Sequence, residues 1–222
     1  MTALLPLGDQ AVLAYFADES AALRFAAAAR RDGPAWLVDV VQAYASVAVF
    51  YDLDCCDFQT AADHLRRLAD RADQFSESIE GRLHVIPCCY ERGADLARVA
   101  EQTGLTADDV IRLHAATEYV VYAIGFCPGF PYLGYLPPEL CRVPRLAAPR
   151  LRVEAGSVGL TGRQTGIYTL PRPGGWNLVG QTPLVLVDVA DGYFPLRTGD
   201  RVSFARIDEA EYARLEGQRL SV

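Results

Sequence analysis

The sequence predicts a small α+β unit over residues 1–80 followed by a mostly-β unit, a closed or nearly closed barrel, over residues 81–222. Three observations lead there. The first 72 residues read strand, helix, strand, strand, helix, the order of a small α+β sandwich. A polar run, DQFSESIEG, follows as the linker. Beyond it, Gly and Pro recur every few residues between apolar and aromatic side chains, which excludes long helices and favours short strands joined by turns.

Each element has its own signal. Leu4–Phe16 alternates loosely around a Gly8-Asp9 turn, giving two short strands or one bent one. Asp18 or Ser20 can cap the Ala-rich helix that runs to about Arg31, and Asp32-Gly33-Pro34 ends it. Trp36–Val41 and Ser46–Phe50 form a hairpin or adjacent pair, and Phe58–Ala72 carries apolar residues at helical spacing. In the second unit LHVIPCCY is a strand and GADLARVAEQTG a helix closed by Gly104. Thr106, with Asp109 three residues on, caps the next helix. Tyr119–Ile124 is an apolar strand feeding GFCPGF; LVLVDV and RTGDRVSFARI supply later strands, and EAEYARLEG a last short helix.

Composition narrows the function. The chain has 222 residues and a formal net charge of −7, against nucleic-acid binding, which needs a basic face. It shows no bilayer-length apolar run and no signal-peptide pattern, so the cytoplasm is expected. The six cysteines, Cys55-Cys56, Cys88-Cys89, Cys127 and Cys141, make neither a disulfide framework nor a zinc spacing, and no metal site is expected. All 21 basic residues are arginine. Without lysine there is no GxxxxGK[ST] phosphate loop, no Schiff base and no Ser–Lys amidase centre. ATP, if used, is held by another chain or by an unfamiliar site.

The charge is unevenly spread. Through Leu83 the chain has 7 arginines against 13 acids, whereas from Arg142 to Arg172 six arginines face one acid, Glu154. That basic focus, set among Phe126, Phe130, Tyr132, Tyr168 and Trp176, points to a pocket for a small anion. Arg145 and Arg150 each follow a proline and could clamp a carboxylate; ion pairing with acids of the first unit is the alternative. In GFCPGF, backbone N–H groups held in place by Pro128 and left unobstructed by Gly125 and Gly129 could line an oxyanion site, or the loop could be a tight strand connection. Gln164 and Tyr168 offer amide and hydroxyl donors, and Gly174-Gly175 bare backbone ahead of the Trp176 ring. His84 is the candidate proton-transfer residue, the alternative being a strand histidine with one backbone partner. Ser157 lacks the GxSxG spacing of a nucleophile elbow and reads as a turn hydroxyl.

The runs GFCPGFPYLG, VPRLAAPR, AGSVGL, QTGIY and PGGWNLVGQTP resemble the 5-oxoprolinase B-subunit family, also called the Kip-inhibitor or allophanate hydrolase subunit 1 family. LLPLGDQAVLAYF and HVIPCCYERGADL extend the resemblance over nearly the whole chain, although Glu91-Arg92-Gly93 stands where the family has a glycine pair. The resemblance implies a cyclophilin-like second unit. It further implies a subunit acting with a larger 5-oxoprolinase subunit of related barrel type and a third subunit, which together hydrolyse 5-oxo-L-proline to L-glutamate with ATP. Such a chain would be inactive alone. Two alternatives come with the same motifs. One is a Kip-inhibitor-like regulator that blocks autophosphorylation of a histidine kinase. The other is the acceptor-site half of a biotin-dependent carboxyltransferase of the urea or allophanate type.

Overall fold

The computed structural model describes residues 3–72 and 81–221. Residues 73–80 of the expected linker lie outside the described residues. The chain divides into two compact units, Met1–Glu80 and Gly81–Val222.

In the first unit, β1 (Ala3–Pro6), β2 (Ala11–Tyr15), β3 (Leu37–Ala43) and β4 (Ser46–Tyr51) form an antiparallel sheet in the order β1-β2-β4-β3. Helices α1 (Glu19–Asp32) and α2 (Phe58–Ala72) cover one face. Alternation sends Val12, Ala14, Val47 and Val49 inward against Phe25 and Leu65, all at most 1% exposed. Of the two possible caps for α1, Asp18 is used, its Oδ1 accepting from the Ala21 N–H at 2.8 Å. Gly33, at φ +50°, closes the helix in the left-handed conformation. His64 is half-buried, paired with Asp32 at 2.6 Å and edge-on to Trp36.

The second unit carries β5 (Leu83–Cys88), β6 (Tyr119–Ile124), β7 (Pro131–Gly134), β8 (Arg150–Val153), β9 (Ser157–Thr161), β10 (Gln164–Ile167), β11 (Arg172–Gly174), β12 (Asn177–Gln181) and β13 (Arg201–Arg206). Its helices are α3 (Leu96–Thr103), α4 (Ala107–Ala116) and α5 (Glu209–Leu215). Strand β5 runs parallel to β13, which pairs antiparallel with β6; β6-β7-β10-β9-β12 continues antiparallel. Strands β8 and β11 pair with each other as a separate ribbon. The core gathers Ile86, Val110, Tyr119, Leu133, Leu160 and Val179.

One expectation is met only in part, and one needs correction. The described residues do not form a closed barrel. Cys89, just past β5, makes one pair with Gln181 of β12 (N–H to O at 2.8 and 3.0 Å), and no ladder follows. The reason is local: the chain enters a 3₁₀ turn at Tyr90–Arg92 and leaves the strand direction. The run LVLVDV is likewise not a strand. Its Val185 and Asp188 make single bridges to Arg219 and Tyr193, while Leu186 and Val187 are buried, so apolar content reflects packing rather than a ladder.

His114 of α4 belongs to the core. The Thr165 hydroxyl donates to the Gly159 carbonyl at 3.1 Å, so it accepts from His114 Nε2–H at 2.9 Å. Nδ1 is then the acceptor for the Tyr90 hydroxyl at 2.8 Å. Complete burial pushes the imidazole down to about 3. The unfolded chain, with an ordinary histidine near 6.5, therefore binds an extra proton between these values, and stability falls as pH falls. Urea unfolding should show the wild type losing about 2 kcal/mol more than His114→Gln between pH 7 and pH 5. Parallel losses would contradict this placement of the proton.

Candidate functional site

The site lies in the second unit, where bare backbone lets aromatic rings cross the sheet. A Cβ on Gly166 of β10 would sit 3.0 Å from both Phe130 Cζ and Trp176 Cζ3. One on Gly174 of β11 would sit 2.2 Å from the Tyr168 hydroxyl. With these positions empty, Phe130 becomes a hub. Its ring centre is 4.9 Å from Tyr132, 5.3 Å from Phe126 and Tyr168, and 5.5 Å from Trp176, all edge to face.

These rings wall a cavity of about 270 Å³, completed by Arg145, Pro149, Pro173, Gly174 and Gly175. The backbone closes its rim, Leu146 N–H donating to the Gly175 carbonyl at 2.8 Å. Arg145 is the cavity's cation. Among the described residues it pairs with no carboxylate, whereas Arg150 is taken by Asp95 and Arg152 by Glu154. Burial raises the pKa of the Tyr132 and Tyr168 phenols, with the Arg145 charge opposing it in part. Both phenols thus keep their protons at neutral pH and can donate hydrogen bonds.

Eight of the residues expected in the site line this cavity: Phe126, Phe130, Tyr132, Arg145, Tyr168, Gly174, Gly175 and Trp176. The others stand elsewhere. The Pro128 carbonyl accepts from Thr169 Oγ1 at 2.7 Å, and Gly129, at φ +70°, turns the chain against Val187. Three N–H groups of their loop are spent inside it: Gly125 to Phe130 O, Cys127 to Gly125 O and Phe130 to Cys127 O. Those three donors are thus unavailable to an oxyanion. Gln164 opens β10 opposite Gly134 and Thr161, off the cavity. The Arg150 Nη2 donates to Asp95 Oδ1 at 2.7 Å, which divides the expected two-arginine clamp. His84 is 3% exposed on β5, its Nε2 3.2 Å from Asp200 Oδ2, and does not line the cavity. Cys127 is buried beside Thr169, its Sγ 3.6 Å from the hydroxyl.

Asp95 was invisible from sequence. It stands at the N-cap of α3 but makes no side-chain cap bond. Its carboxylate instead takes Arg150 on one oxygen and the Leu178 N–H of β12 on the other, each at 2.7 Å. Pro149 and Pro173 adjoin candidate residues in the chain, yet nothing in their own spacing marks them. No group of three or more His, Cys, Asp or Glu that could hold a metal occurs among the described residues. None of their helices is long and apolar enough to cross a membrane.

The chain is one of the carboxyltransferase-domain proteins. Residues 2–194 match the family described as "Carboxyltransferase domain, subdomain C and D". The 5-oxoprolinase B subunit of Bacillus subtilis (strain 168) is 37% identical over 226 residues, 93% of this chain and 93% of that protein. The 5-oxoprolinase B subunit of Escherichia coli O157:H7 is 50% identical over 149 residues, 65% of this chain and 67% of that one. Among solved structures, TTHA0988 is 37% identical with a TM-score of 0.77, over 90% of this chain. This chain spans only 40% of the length of TTHA0988. The Kluyveromyces lactis urea amidolyase, 17% identical with a TM-score of 0.70, shares the fold over 96% of this chain and 15% of its own. The chain belongs to the 5-oxoprolinase B-subunit family.

Proposed function

We propose that this chain is a subunit of an ATP-dependent 5-oxoprolinase complex, and that its cavity is its share of a site for 5-oxo-L-proline. One observation carries the reading: a guanidinium with no carboxylate partner among the described residues, Arg145, stands at a cavity otherwise walled by rings and backbone. An anion of a few heavy atoms fits there, its carboxylate on Arg145 and its ring among the aromatics. The Tyr132 and Tyr168 hydroxyls supply neutral donors to the remaining oxygens. Hydrolysis adds water to the lactam carbonyl carbon and breaks the C–N bond, with the amine leaving protonated. The chain's part is to bind and orient the substrate.

The lysine-free sequence makes no GxxxxGK[ST] phosphate loop, so ATP is held by a companion chain or by a site of another kind. The companions are a larger subunit of related barrel type and a third subunit, in keeping with relatives named as one lettered component of 5-oxoprolinase. The test combines the purified chain with both companions and follows ATP-dependent release of glutamate from 5-oxo-L-proline. Turnover is expected from the full mixture and from no single chain. A full mixture without turnover, beside a lone chain that suppresses autophosphorylation of a histidine kinase, would replace this reading by the regulatory one.

A further inference from the structure

We infer that Phe126 determines specificity, its ring covering the apolar face of the bound ligand at the open side of the cavity while the ligand's anionic end lies on Arg145. This rests on the reading above. The backbone is the first observation. Phe126 has φ +64°, and the Cys127 N–H donates to the Gly125 carbonyl at 2.7 Å, so Phe126 is the central residue of a three-residue turn with the rarer, strained sign of φ. A bulky side chain is disfavoured there, and glycine would hold the same turn without strain. Glycine flanks this very residue at Gly125 and recurs at Gly129 in the same loop.

Burial is the second observation, and it removes the usual reason for a phenylalanine. The ring is 57% exposed, whereas Phe130, four residues on, is 2% exposed. Phe126 touches the aromatic cluster only edge to face, at 5.3 Å from Phe130 and 6.1 Å from Tyr168. It nevertheless lines the cavity. A strained backbone that presents a half-bare ring to a cavity is explained when something apolar covers that ring in the working state. The anionic end of the ligand is set by Arg145, the cavity's cation. The ligand class is thus a compact anion with one flat, uncharged face, entering with the carboxylate toward Arg145.

The test uses the assembled three-component enzyme with 5-oxo-L-proline and three forms of this chain: wild type, Phe126→Ala and Phe126→Gly. Both variants lack the ring, so KM should rise in each by roughly 10- to 30-fold with kcat within about 3-fold. They differ in backbone, so the Phe126→Gly chain should melt about 2–4 °C above Phe126→Ala. A KM equal to the wild type's in either variant, or a glycine variant that melts below the alanine one, would overturn the inference. Absence of turnover by the wild-type complex would remove the functional reading itself, and the inference with it, before any variant is compared.

Discussion

Arg145→Ala is expected to lower kcat/KM of the assembled enzyme for 5-oxo-L-proline by about 10- to 100-fold, the cost of losing a charge-assisted hydrogen bond to the substrate carboxylate. The same substitution should leave the unfolding free energy of the chain within about 0.5 kcal/mol of wild type, because the side chain is exposed and holds no carboxylate among the described residues. That separation is the useful feature. A residue that mattered to the fold would lose both quantities together. Arg145→Lys keeps the charge but not the planar fork, and should fall between the two. Steady-state kinetics on the complex and urea unfolding of the chain check the two halves. An Arg145→Ala enzyme with unchanged kcat/KM would show that the cavity's cation does not meet the substrate.

Asp95→Ala is expected to do the reverse and destabilise the chain by about 3 kcal/mol. Its carboxylate holds the Arg150 guanidinium and the Leu178 N–H at once. Removing it strands a cation and a buried backbone donor together, and Arg150 Nη1 is already buried without a partner. The figure sits at the low end for a broken buried pair because the Arg150 side chain is 30% exposed and water screens part of its charge. Asp95→Asn, which keeps an acceptor for Leu178, should lose about half as much. Equilibrium unfolding in urea measures both. Equal stability of Asp95→Ala and wild type would mean that the pair contributes nothing.

What could be read from sequence divides along the range of the interactions. The turns of GFCPGF and the Gly174-Gly175-Trp176 run were legible because their cause is local: glycine where backbone crowds backbone, aromatics at fixed offsets, proline setting the approach. Helix ends were legible for the same reason, and Thr106 and Gly104 sit where their chemistry puts them. Partner choice was not. Arg145 and Arg150 look alike in sequence, each behind a proline, and only Asp95, 55 residues from Arg150, separates their roles. The partner of His84 was equally hidden, since Asp200 is 116 residues away, and so was its place off the cavity. Barrel closure turned on whether the chain kept its strand direction past Cys89, a choice made by one 3₁₀ turn. LVLVDV misled because burial and strand pairing leave the same apolar signature.

The most direct measurement is a crystal structure of the assembled complex with 5-oxo-L-proline bound. The expected result is the carboxylate on Arg145, with the ring between Phe126 and Trp176. Substrate bound elsewhere in the complex, with this cavity filled by a partner's side chains, would contradict the account.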